Sequence, residues 1–298
     1  MPVLVLSLCL VTLGCRPGGK QAGRPDGDSS LLAGRAARVD SALASSDSGQ
    51  GGDKPIARWV LPRHLAEISG LALTPDGRLF AHNDEMGRVV ELDYRRGVVL
   101  KHFLLGNAPV RADFEGITVA GQRLFLLASD GRLFEFKEGA DGARVPYTVH
   151  DTRLGHECEF EGVAYDPAIE ALLLACKNVY KKSLVGSLVI YRWALGAGNS
   201  EKLPPLSIPL ERVIGSNRWK GLHPSDITID PRNGHYVLVS AQEEALIELT
   251  PSGEVVSARS LPGGHAHTEG VAITKDGILI ISDEAGKSSA AITLYRRR

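Results

Sequence analysis

Glu159-Phe160-Glu161-Gly162 is one of five copies of a short phrase. The others are Glu67-Ile68-Ser69-Gly70, Asp113-Phe114-Glu115-Gly116, His223-Pro224-Ser225-Asp226 and His267-Thr268-Glu269-Gly270. Successive copies lie 46, 46, 64 and 44 residues apart. A period in the forties, each copy opening a β-hairpin, marks a blade-type repeat.

The first repeat divides into strands at its turn residues. Residues 68–74 are apolar and stop at Pro75-Asp76-Gly77. Proline presets φ there and glycine accepts positive φ, so the turn has a mechanism. Residues 78–82, 88–93 and 98–104 supply three more strands, giving the four of a propeller blade. The other copies turn at Gly121, Pro167, Pro231 and Gly277. The long third interval holds a Gly/Pro-rich stretch and no second hairpin, so it reads as an elongated blade. The last unit supplies only three strands. Residues 57–61 have no other partner and are expected to close the ring as its fourth, removing open edges. The expectation is an all-β, five-bladed β-propeller closed by an N-terminal outer strand, with six blades as the alternative.

The chain of 298 residues is 43% apolar, with a net charge of -1. That size can bury a large core, and the absence of a basic field sets nucleic acid aside. Residues 3–14 are almost wholly apolar, too short to span a bilayer but suited to a signal peptide. Leu13-Gly14-Cys15 resembles the end of a bacterial lipobox, with Cys15 the lipidated residue. Thr12 departs from that pattern, and no Lys or Arg precedes the apolar run. Residues 1–15 therefore read as export signal, 16–56 as a disordered tether without aromatic residues, and 57–298 as the propeller. Such a tether reaches about 35 Å. The expected location is the periplasm or cell envelope, anchored to a membrane by lipid, as a monomer. Cys158 and Cys176 remain for the folded body. They either pair in an oxidising compartment or stay as two small buried side chains.

The first strand of each blade lines a propeller's channel. The five copies thus bring Ser69, Glu115, Glu161, Ser225 and Glu269 to one mouth. Hairpin pairing adds Asn83, Asp84, Asp130, Lys177, Asp283 and Glu284. Clustered carboxylates repel, so protons or a cation must relieve them. An oxygen-rich set of Glu115, Glu161, Glu269, Asp283, Asp130 and Asn83 suits Ca²⁺, with Mg²⁺ the alternative, and no Cys/His set has zinc spacing. Against this stands a structural role, with Lys177 or Arg111 as counter-charge. His156, His223, His265 and His267 read as bases, anion binders or plain loop residues. No nucleophile elbow or phosphate loop occurs, and no catalytic residue is assigned.

The order Ser-Gly, Glu-Gly, Glu-Gly, Ser, Glu-Gly resembles the SdiA-regulated family. Residues 160–167 and 172–177, with Ile68-Ser69-Gly70-Leu71 and Glu269-Gly270-Val271-Ala272, carry the likeness. The resemblance spans about residues 57–298. It implies an exported, membrane-associated β-propeller with calcium at the channel. Asp226 departs from it, standing where the other copies have glycine. Two functions follow as expectations: a module binding a ligand or partner at the acidic mouth, or a metal-dependent hydrolase of a phosphoester or lactone.

Overall fold

The computed structural model describes residues 26–45, 53–196, 203–265 and 267–297. Five four-stranded antiparallel units follow one another, each running from the channel outward, and the first carries a fifth, parallel edge strand, Arg144–Val145, beside Val98–Leu105. Blade 1 comprises Ile68–Leu73, Leu79–Asn83, Arg88–Asp93 and Val98–Leu105. Blade 2 comprises Phe114–Ala120, Arg123–Ala128, Arg132–Phe136 and Tyr147–Asp151. Blade 3 holds Cys158–Asp166, Ala171–Val179, Ser187–Ala194 and Leu203–Pro209. Blade 4 holds Asp226–Ile229, Tyr236–Ser240, Ala245–Leu249 and Val255–Ser260. Blade 5 is built from Thr268–Ile273, Ile278–Asp283, Ala291–Arg296 and, from the other end of the folded chain, Pro55–Val60. The ring is therefore five-bladed and closed as expected. The closing pairs run from Pro55↔Tyr295 to Val60↔Ala291. The elongated third interval supplies the outer strand of blade 3, followed by a short helix, Leu210–Ile214.

Packing explains the closure. Among the described residues the apolar core divides into five clusters, one at each blade–blade interface. Each sheet buries both faces, one against each neighbour, so a blade removed from the ring exposes two. Phe103, Phe114 and Phe134 fill the interface of blades 1 and 2. Ile280, Ile292 and Leu294 fill that of blades 5 and 1.

The expected tether differs from what is found. Asp26–Ala44 is a helix lying against blades 5 and 1. The segment has no aromatic residue, but Val39 is fully buried in the interface cluster and Leu43 packs beside it. Arg35 lies over the Trp59 ring and donates to the Arg96 carbonyl. Arg95 pairs with Asp40, and Arg296 donates to the Ala42 and Leu43 carbonyls at the helix end. The helix borrows a core it could not form alone, the usual source of helix stability in proteins. The signal-peptide and Cys15 expectations lie outside the described residues. No described helix is long and apolar enough to cross a membrane.

Cys158 and Cys176 are joined as a disulfide with Cα atoms 5.8 Å apart. Plain hairpin counting sets them two positions out of register, since Phe160 faces Cys176. The bridge runs diagonally across an irregular stretch of the pairing, where Cys158 faces Val179 and Glu159 faces Asn178. The bridge spans a separation of 18 residues, for which loop-closure entropy gives about 3 kcal/mol. Reduction, or Cys158→Ser with Cys176→Ser, is expected to lower the melting temperature by roughly 6–12 °C. Calorimetry with and without reductant checks this.

Candidate functional site

The side chains of the mouth are aimed by a repeated backbone device. Phe114 pairs with Ala128 and Gly116 with Leu127, leaving Glu115 as an extra residue between them. Glu161 is extra between Phe160↔Cys176 and Gly162↔Ala175. Glu269 is extra between Thr268↔Asp283 and Gly270↔Ser282. Ser69 falls in the same kind of irregularity. A β-bulge turns a side chain out of the alternating pattern and re-aims it. Three glutamates from three blades thereby leave the sheet faces and meet at one end of the channel.

The following glycines let this happen. A Cβ on Gly116 would lie 2.9 Å from Val163 N, and one on Gly70 would lie 3.0 Å from Gly116 Cα. Inner strands of neighbouring blades thus approach backbone to backbone around the axis. The fourth position is Asp226, fully buried. Its Oδ2 accepts from Val271 N at 2.8 Å and from Leu71 N at 3.5 Å, so blade 4 reaches across to blades 5 and 1. Its Oδ1 has no partner. The side chain fills space vacated by the missing Cβ atoms and closes the channel. The residue that broke the repeat is its axial plug. Burial raises the Asp226 pKa well above the carboxylate range, against its backbone hydrogen bonds.

The ring's electrostatics follow from burial and crowding. Lys177 donates to Glu161 Oε1 at 2.6 Å, and Glu161 is 3% exposed. Glu115 stands close enough for the Glu161 charge to act on it. Burial raises the Glu115 carboxyl, and the charges of Glu161 and Asp113 raise it further. Burial, then the charges of Glu161 and Glu284, push Glu269 up to about 8. Glu161 is also raised by burial, with Lys177 opposing. Burial acts to lower Lys177, but its bond to Glu161 and the nearby Glu269 and Glu115 charges hold it raised. Burial raises Asp84 to about 6, with Glu67, Glu85 and Glu284 adding to the effect. Burial and crowding thus favour the protonated forms of Glu115 and Glu269, while Lys177 pairs with Glu161.

Ser69 and Ser225 are both buried. The Ser69 carbonyl accepts from Ser282 Oγ at 3.2 Å, joining blades 1 and 5. Three expected ligands are engaged elsewhere. Asn83 caps a turn, its Oδ1 accepting from Met86 N at 3.0 Å. Asp130 faces solvent and pairs with Arg132 at 2.7 Å. Asp283 accepts from His265 Nδ1 at 2.7 Å, and His265 Nε2 in turn lies 2.7 Å from the Tyr295 hydroxyl. Asp283 still faces Thr268, the residue before Glu269, and each of the three is bonded to a partner other than a ring glutamate. Among the described residues, no group of three or more His, Cys, Asp or Glu is arranged to hold a metal ion.

Lys177, not Arg111, supplies the counter-charge; Arg111 is exposed beside Glu85 at 3.6 Å. His156 is exposed, His223 is pinned to Glu243 at 2.8 Å, and His267 lies 3.7 Å from Glu284. Two residues escaped the sequence reading. Glu243 fixes His223 through both ring and backbone nitrogens. His82 is fully buried, accepts from Gly70 N at 3.1 Å, and has its pKa lowered to about 4 by burial. Neither carries a motif; His82 had only its place on the second strand of the first repeat as a signal.

The SdiA-regulated family model matches residues 212–297, which bear Ser225, Asp226 and Glu269. The likeness read from the repeats stands over that stretch. Comparison with curated proteins gives no match. Among solved structures, the chain is similar to the glutaminyl cyclase of Myxococcus xanthus, with 14% identity and a TM-score of 0.56, covering 82% of this chain and 95% of that one. It is also similar to the PQQ-bound aldose sugar dehydrogenase of Streptomyces coelicolor, with 13% identity and a TM-score of 0.52, covering 80% and 98%. At such identities the likeness is one of fold.

Proposed function

We propose that this chain is an exported binding module, held at the cell envelope by lipid on Cys15, that takes a positively charged group at its glutamate mouth. The reading rests on one observation above all. Glu115, Glu161 and Glu269 from three blades crowd about the single Lys177 ammonium, and burial with the neighbouring charges raises the Glu115 and Glu269 carboxyls. Such a site gains when an external cation lets those carboxyls ionise. Oxygen donors suit Ca²⁺ or Mg²⁺ by type. As they stand, however, the carboxylates are disposed about Lys177 and do not form an ion cage. A cationic group approaching from solvent fits the mouth better than an ion sealed within it.

Thermal unfolding with Ca²⁺, Mg²⁺ or spermidine at pH 6 and pH 8.5 tests the reading. A ligand selective for the folded state raises the melting temperature as its concentration grows. The rise should be larger at pH 8.5, because fewer protons then have to be displaced. Glu161→Gln should remove it. Lys177→Met, which vacates the built-in cation, should enlarge it. No rise with any of the three at pH 8.5 sinks the proposal.

A further inference from the structure

The opposite end of the channel is a different environment. Past the Asp226 plug the five inner strands diverge around a cavity of about 650 Å³. That is within the span of roughly 300–1,000 Å³ usual for small-molecule sites. Its floor is Leu71, Ile117, Val163 and Ile227, each following the glycine or aspartate of its repeat. Val119 and Ile229 stand among the walls. None of Glu115, Glu161 and Glu269 lines this cavity.

The rim has an uncommitted charge. Asp76 pairs with Arg78, and Asp276 with Arg95. Lys275, between them on the cavity edge, donates to the Pro75 carbonyl at 2.7 Å and has no carboxylate partner among the described residues. The aromatic side chains in the lining, Tyr94 and Tyr165, come from separate blades and make no stacking platform for a sugar or base. An aliphatic well with an ammonium at its lip that has no carboxylate partner among the described residues is complementary to an aliphatic chain ending in an anion.

We propose that this lower mouth binds a free fatty acid, its chain in the well and its carboxylate at Lys275. Each further methylene buried adds to binding, so a long chain binds more tightly than a short one. The inference is independent of the reading given for the upper mouth.

The experiment titrates the full chain with cis-parinaric acid, followed by its fluorescence, and displaces it with palmitate. Saturable enhancement at one site per chain, reversed by palmitate, is expected. Lys275→Met should weaken palmitate about tenfold, or roughly 1.4 kcal/mol, and leave hexadecanol unchanged. Val119→Asp places a charge in the well and should abolish binding. If that variant does not fold, Thr228→Trp, which fills the mouth without a charge, takes its place. Absence of saturable binding overturns the proposal. So does parent-like affinity in a folded well variant, or association with phosphatidylglycerol vesicles without binding of palmitate.

Discussion

Gly162→Ala is expected to destabilise the propeller by about 2–4 kcal/mol, among the larger effects of a single added methyl. The new Cβ would lie 2.7 Å from Asp226 Cα and 2.8 Å from Ile227 N. Both are backbone atoms of the next inner strand, so no side chain can swing aside. Blades 3 and 4 must separate at the axis. That movement also disturbs Asp226, whose carboxylate ties blade 4 to Val271 and Leu71. The chain offers its own control. At Gly77 a Cβ meets nothing within 4 Å, and only the positive φ of 88° resists. Gly77→Ala should therefore cost about 1 kcal/mol. Equal melting temperatures for the two variants would show that the axial backbones do not touch as described.

Deleting the chain through Val60 should abolish cooperative folding rather than merely weaken it. The loss takes the whole outer strand of blade 5, whose five pairs with Ala291–Tyr295 close the ring. It also takes the docked helix and the apolar contacts of Ala57 and Trp59. What remains is an exposed edge beside an uncovered aliphatic sheet, the arrangement that invites edge-to-edge association. Size-exclusion chromatography should show aggregates, and calorimetry no sharp transition. A monomer melting within a few degrees of the full chain would refute the view that this strand holds the ring shut.

The pH dependence of stability has a definite sign. Glu115 and Glu269 have folded pKa values raised above those of the unfolded chain, Glu269 to about 8. The unfolded chain therefore binds fewer protons than the folded one across neutrality, and stability falls as pH rises toward 8. His82 works in the opposite sense. Its folded pKa of about 4 lies below the unfolded value of 6.5, so its contribution is lost as pH falls between those values. Above pH 6.5 the glutamates act without it. Glu269→Gln should flatten the decline between pH 6.5 and 8 and raise the melting temperature at pH 8. A decline as steep as the parent's would place the titrating groups elsewhere.

Much of this was legible in the chain because a propeller is a repeat. The phrase around Glu161 marks every inner strand, and turn residues mark the hairpins, so blade count and closure follow from local chemistry repeated at intervals. Convergence of Glu115, Glu161 and Glu269 follows from the ring's symmetry alone. The helix Asp26–Ala44 was not legible, because its apolar partners belong to other segments. Nor were the partners of Asn83, Asp130 and Asp283, which come from turns and loops that hairpin arithmetic does not describe. Repetition thus settled where the strands lie and which acids face one pore, as both depend on contacts near in sequence. Three-dimensional packing alone decided between Lys177 and Arg111 as the counter-charge, set Asp226 across the axis, and made the far mouth oily. Those outcomes depend on distances between blades, measured in tenths of an ångström, which no spacing along a chain encodes.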